Sequence, residues 1–249
     1  MRRAAFASVL ISITLSSAFS YADEASDARA LAQKAVLAHG GADPLAKTQR
    51  MVRSSTGTMF LFGQPSAFRD ELTVALPSKF RLHLAGGAAG PQNQMLIILN
   101  GNDAWHATTL GVTLLPKDRL AELQDEGRVM WYATLVPLIQ DKSLHLAPIA
   151  PVNVNGRPTS GISVNQAGKS EISLYFDAQT NLLVKAARKS QDGGIPVEKE
   201  YFYADHQLVD GVLLPTKYSE FTGGRKFVDV NSISYKFPPR TDDKLFEKP

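Results

Sequence analysis

Five histidines, His39, His83, His106, His145 and His206, are the side chains best suited to hold a metal or to pass a proton near neutral pH. They are scattered, and no pair has the short spacing that sets two ligands on one helix face. The chain has no cysteine, so a thiolate nucleophile, a cysteine-ligated metal and a disulfide are all excluded. "HGG" at His39 to Gly41 has the look of an esterase oxyanion loop. That loop works with a G-x-S-x-G elbow, which is absent, and a helix C-cap accounts for the glycines instead. "AGGAAG" lacks the lysine and serine of a phosphate loop. Asp242 and Asp243 are adjacent, and neighbours on an extended segment point apart, which makes a poor acid–base pair. No catalytic residue, metal site or cofactor is assigned, and the expectation is a protein that is not an enzyme.

The remaining chemistry is apolar, and elements must position it. The first segment, "MRRAAFASVLISITLSSAFSYA", has two arginines, an apolar run and small residues at Ser20 and Ala22. This is the layout of a secretory signal peptide over 1–22, with the mature chain starting at Asp23. Its apolar run is shorter than the roughly 20 residues of a membrane-spanning helix. Removing Arg2 and Arg3 leaves 25 basic residues against 24 acidic ones, a net of +1. No basic face for nucleic acid is visible. The rest, 23–249, contains no linker or repeat and reads as a single domain, exported to the periplasm, not lipidated, and monomeric.

Asp23 to His39 repeats Ala28, Leu31, Ala32, Ala35 and Val36 at helical spacing, closed by Gly40 and Gly41. From Met51 the period is two, and each segment is bounded by Gly or Pro, which predicts roughly ten short strands in series. Asn155-Gly156, Asp192-Gly193 and Asp210-Gly211 are hairpin turns, and Asn181 takes a left-handed conformation in a loop. One long helical pattern interrupts the strands between Lys117 and Val136. Leu120, Leu123, Met130, Trp131, Leu135 and Leu138 lie on one side of it, and Lys117, Glu122, Asp125 and Arg128 are read as facing away. Pro137 should kink or end it. Short connections between strands imply antiparallel neighbours, not a parallel doubly wound sheet.

The strands carry more apolar surface than two helices can cover. "MLIIL" and "VLLP" are apolar on both faces, and Phe60, Phe62, Tyr201, Tyr203 and Tyr218 add aromatic bulk. Either the sheet closes on itself or something apolar fills the gap. A chain of about sixteen carbons gains on the order of 12 kcal/mol on burial before costs, so no charged anchor is needed and the site would look chemically blank. Three function classes follow: a carrier of a hydrophobic ligand, a protein-interaction or assembly module of the cell envelope, and an exported hydrolase with a site dispersed around His106, His145 or His206.

The chain resembles the LolA/LolB/LppX-like superfamily. "LAQKAVLAHGGADPLAK" is similar to the opening helix and glycine cap of its bacterial members. "LYFDAQTNLLVKAAR" is similar to their mid-sheet strand–turn–strand, and "VDGVLLPTKYSEF" to their D-G-x-x-x-P hairpin. "TDDKLFEKP" is similar to their closing segment. The resemblance implies one strongly curved antiparallel sheet, an unclosed half-barrel, with an N-terminal helix and a central lid helix on its concave face. It implies a cavity for a lipid or a lipoprotein acyl chain and a part in outer-membrane biogenesis. On this likeness Leu120, Leu123, Met130, Trp131 and Leu135 line the lid. Phe60, Leu72, Val74, Leu82, Leu174 and Phe176 line the sheet. The acylated cysteine of LolB is missing, so the soluble LolA-like role is the nearer one. The strand arginine that LolA ties to its lid corresponds to Arg69 or Arg81.

Overall fold

Alternation of apolar and polar residues builds most of this molecule, and the computed structural model describes residues 16–87, 94–192 and 194–249. The expected export segment falls largely outside these residues, and helix α1 (Ser16–Ala38) runs through the expected cut before Asp23. Gly40 and Gly41, both at positive φ, close it as expected. A short α2 (Ala42–Ala46) follows.

Six strands then run outward as a meander: β1 (Arg50–Leu61), β2 (Gln64–Ala75), β3 (Lys79–Gly86), β4 (Gln94–Asn100), β5 (Asp103–Thr108) and β6 (Gly111–Leu114). Next come α3 (Lys117–Ala133) and α4 (Val136–Gln140). The chain returns through β7 (His145–Ile149), β8 (Asn153–Val154), β9 (Arg157–Asn165) and β10 (Ile172–Asp177). It ends in β11 (Leu183–Asp192), β12 (Ile195–Val209), β13 (Val212–Thr222) and β14 (Arg225–Lys236). Of the expected turns, Asn155-Gly156 and Asp210-Gly211 have positive φ at both residues, and Asn181 is left-handed. Gly193 of the Asp192 turn lies outside the described residues, as do 88–91 of the expected glycine-rich loop.

The spatial order is β6-β5-β4-β3-β2-β1-β14-β13-β12-β11-β10-β9-β7, with β8 paired to β9. Every pairing among the described residues is antiparallel. The sheet therefore has two edges, β6 and β7, and the helical segment is the connection between them. That connection forces curvature. Helix α3 touches β4 and β5 in one half and β11 in the other. Eight strand spacings separate β5 from β11, roughly 38 Å across a flat sheet. A helix of 17 residues is only about 26 Å long. The sheet must bend around α3, and it forms an unclosed half-barrel with the helices on its concave side. Bulges at Thr56/Gly57 and Glu220/Phe221 tighten the bend where β14 meets its neighbours.

The break between α3 and α4 falls at Leu135, fully buried and left-handed at φ 64°. Pro137 sits in the first turn of α4, where its missing N–H costs nothing. The outward reading of α3 needs correcting. Glu122, Asp125 and Arg128 face protein, because β11 and the loop at Ser170 cover that side of the helix.

Candidate functional site

Strand parity decides which side chains face the helices. On β2 and β3 the even residues point inward: Phe68, Leu72 and Val74, then Phe80, Leu82 and Leu84. On β1 the odd residues do, including Arg53 and Met59. These walls and α3 enclose a cavity of about 650 Å³, within the usual range for a small-molecule site.

Leu45, Val129, Leu183 and Tyr201 of the core under α1 and α4 reach the cavity wall, and two further apolar clusters border it. Met59, Phe68, Leu84, Val230 and Ile233 form one, with Met95 packed on it. Leu72, Val74, Phe80, Leu99 and Ala104 form the other, covered by Leu120, Leu123 and Met130 of α3. Of the residues expected in the site, Leu72, Leu82, Leu123 and Met130 line the cavity. Val74 and Leu120 pack in the second cluster beside it. Leu135, Leu174 and Phe176 lie instead in the core under α1 and α4, with Trp131 packed against that core. Phe60 is half-buried and, beside inward-facing Met59, points to the other face of β1.

The cavity is largely apolar but not chemically blank, and this corrects the expectation of a site without charged groups. Arg188 on β11, with no exposed side-chain surface, ties the sheet to α3. Its guanidinium donates to Glu122 at 2.5 Å and Glu126 at 2.7 Å, and its Nε donates to the Tyr201 hydroxyl at 3.1 Å. Lys199 on β12 reaches Glu122 and Glu126, each at 2.9 Å, and Glu220 at 3.7 Å. Burial alone would raise the Glu122 carboxyl, but hydrogen bonds from Arg188 and Lys199 outweigh it and hold its pKa at about 2. Glu220 goes the other way. Burial, then the Glu126 charge, push it up to about 7, and Lys199 offsets this only in part. Burial likewise lifts Tyr235 to about 12 and, with the Glu126 charge, raises Tyr203 further.

The hairpin β12–β13 supplies most of this polar wall: Lys199, Tyr201, Tyr203, His206, Tyr218 and Glu220 all line the cavity. Beside it, Arg53 on β1, whose guanidinium lies 6.0 Å from the centre of the Tyr218 ring, pairs with Asp70 on β2 at 3.0 Å, and Ser55 donates to the same carboxylate. These residues come from four strands distant in sequence, and only the β1–β14 pairing unites them. No local motif marks them. The one signal was the inward parity of the hairpin whose residues looked merely aromatic.

The histidines do not form a triad. His145 is exposed on β7. His106 on β5 and His206 on β12 line the cavity from strands with six others between them. His39 holds Ala35 through Nδ1 and stacks edge-on against His206, and burial lowers its pKa to about 4. Among the described residues no group of three or more potential ligands could hold a metal ion, and no helix is long and apolar enough to cross a membrane.

No protein-family model matches the chain, and no curated protein does. Solved structures do match. A LolA superfamily protein from Nitrosomonas europaea aligns over 83% of this chain and 96% of its own, at 14% identity and a TM-score of 0.53. A Vibrio parahaemolyticus domain, provisionally assigned to outer membrane lipoprotein sorting, aligns over 89% and 97%, at 10% identity and a TM-score of 0.56. A DUF1329 family protein from Desulfovibrio piger aligns over 88% and 97%, at 14% identity and a TM-score of 0.53.

The fold is LolA-like. Within this LolA-like frame the arginine joined to the covering helix is Arg188, neither Arg69 nor Arg81. Both of those are odd-numbered residues on strands whose even residues face inward, so parity sends them to the outer face.

Proposed function

We propose that the protein is a carrier, without catalytic chemistry, that holds an acyl chain or a comparable apolar ligand between the curved sheet and α3. One observation carries this reading: the largely apolar cavity of about 650 Å³ beneath α3, bordered by two clusters that do not fill it. The likeness of fold to a LolA superfamily protein supports it. So does the position of α3, which ion pairs from Arg188 and Lys199 hold over the cavity. In this reading residues 1–22 direct export, 23–249 form one domain, and the protein works unlipidated in the periplasm.

The test is a lipid extract of the purified native protein, read by mass spectrometry, together with uptake of a fluorescent fatty acid. The carrier reading predicts a co-purifying lipid and saturable uptake of the probe. Clean protein with no uptake would refute it.

One surface favours a second reading, a protein-interaction role in the envelope. Among the described residues edge strand β6 has no partner on its outer side, and Leu110, Val112 and Leu114 around it are exposed. That role predicts a stable complex and no lipid.

A further inference from the structure

The carrier reading says little about the end of the ligand that is not a hydrocarbon, and the cavity wall carries polar groups that lack partners. The Nε of Arg53 is buried and has no hydrogen-bond partner, although the same guanidinium holds Asp70 through Nη2. The Tyr203 hydroxyl makes no hydrogen bond among the described residues, whereas the neighbouring tyrosines are all engaged. Tyr201 bonds Glu126, Tyr218 bonds Glu220, and Tyr235 donates to the Pro215 carbonyl at 2.6 Å. Arg53 and Tyr203 are electrostatic neighbours, and Arg53 is the cross-strand partner of Tyr235. Another buried atom without a partner, Nε2 of His206, lies three residues along the same strand as Tyr203. Pro215, which accepts from Tyr235, is the register partner of His206. An unpaired buried donor such as Arg53 Nε costs about 1–3 kcal/mol, so this patch of wall has an unmet demand for an acceptor.

The charge balance selects among acceptors. Arg53, Arg119 and Lys199 line the cavity with Asp70, Glu126 and Glu220, the last of which keeps its proton up to about 7. Arg53 is already matched by Asp70, and Lys199 is shared by Glu122, Glu126 and Glu220. At the Arg53 patch a carboxylate or phosphate head would have to share that guanidinium with Asp70, and among the described residues the one lining cation left without an acid, Arg119, is exposed on α3. A neutral carbonyl oxygen would accept the free N–H and O–H and add no charge.

Resting on the carrier reading, we propose that the cavity is built for a neutral acyl ester: its carbonyl accepts hydrogen bonds from Arg53 Nε and the Tyr203 hydroxyl. Its chain runs along Met59, Phe68, Leu84 and Met95. The polar patch lies on β1 and β12 near the seam of the sheet, and the apolar cluster extends from it onto β2, β3 and β4. One cavity therefore serves both ends of an amphiphile.

The experiment uses the full mature chain loaded with N-phenyl-1-naphthylamine as an apolar reporter, displaced by methyl palmitate, palmitate or hexadecane. Methyl palmitate labelled with ¹³C at the carbonyl is also followed by infrared difference spectroscopy. Wild-type protein should bind methyl palmitate more tightly than either competitor, with its carbonyl stretch shifted to lower frequency. Tyr203→Phe removes a hydroxyl that has no partner, so it should fold normally. Arg53→Lys keeps the charge opposite Asp70 and removes Nε. Each should weaken methyl palmitate about three- to tenfold, reverse part of the carbonyl shift, and leave hexadecane unchanged. The proposal is overturned if the variants bind the ester as wild type does, if the carbonyl band does not move, or if palmitate binds more tightly than its methyl ester. In all three cases displacement of the reporter by hexadecane still upholds the carrier reading. If wild type takes up neither reporter nor hexadecane, the carrier reading itself fails.

Discussion

The two halves of the sheet are covered in opposite ways. In the half built from β7 and β9–β11, α1 and α4 press an alanine-rich stripe and Leu138 onto Ile162, Leu174 and Phe176, and the core is filled. Between β1–β6, β14 and the hairpin β12–β13, α3 brings Leu120, Leu123 and Met130, and a cavity remains between helix and strands. The cause is in the side chains. Ala28, Ala32 and Ala35 let α1 approach β7 closely. Glu122 and Glu126 instead fix α3 through charged groups at its flank, which hold it over the sheet without drawing it down. The comparison teaches that an apolar cover seals and a polar tether spaces.

The largest effect expected from this contrast is a difference between two phenylalanines. Phe176→Ala in the filled half should cost about 3–5 kcal/mol in denaturant unfolding, because the fully buried ring leaves a void its packed neighbours cannot close. Phe68→Ala, at the edge of an existing cavity, should cost about 2 kcal/mol or less. Equal costs would erase the distinction. Next, Arg188→Ala should destabilise by about 3 kcal/mol, since it leaves Glu122 and Glu126 facing the sheet with Lys199 as their remaining cation. It should also speed exchange of the amides of α3 while those of α1 stay protected, a pattern that hydrogen exchange reads directly.

A smaller effect concerns pH. Glu220 keeps its proton in the folded protein up to about 7, whereas an unfolded glutamate loses it near 4.5. The folded state therefore binds more protons between these values. Stability from this group is fully present below about 4.5 and is lost as pH rises through about 7. Glu220→Gln should remove about 1–2 kcal/mol of that decline, so its melting-temperature advantage over wild type should grow from pH 5 to pH 8. Smallest of all, Trp131 packs on the filled core, not in the cavity. In a Trp105→Phe background its emission should shift little when lipid is added.

Much of the fold was legible because period and turn chemistry are local. The alanine stripe of α1, the glycine cap and the Asn155-Gly156 and Asp210-Gly211 turns are written in a few adjacent residues each. The inward placement of Leu72, Leu82, Leu123 and Met130 at the cavity wall follows from the same local patterning. Phe60 was misplaced by one residue of parity, since β1 is rich in residues acceptable on either face. Leu174 and Phe176 were assigned to the right kind of strand, but which half of the sheet α1 would fill depends on the crossover from β6 to β7, which no local pattern encodes. The charged wall was invisible for a stronger reason. Arg53 and Asp70 meet Lys199, Tyr203 and Glu220 only because the first and last strands pair. Charged residues on a sequence read as surface until a partner is known.

Photolabelling tests the central contrast most directly. Methyl palmitate carrying a diazirine near its tail, photolysed with the protein and mapped by peptide mass spectrometry, should label β1–β4 and β14 around Met59, Phe68, Leu84 and Met95. Label concentrated on α1, α4 or β10, or no saturable labelling at all, would contradict the claim that the space beneath α3 is kept hollow for a ligand.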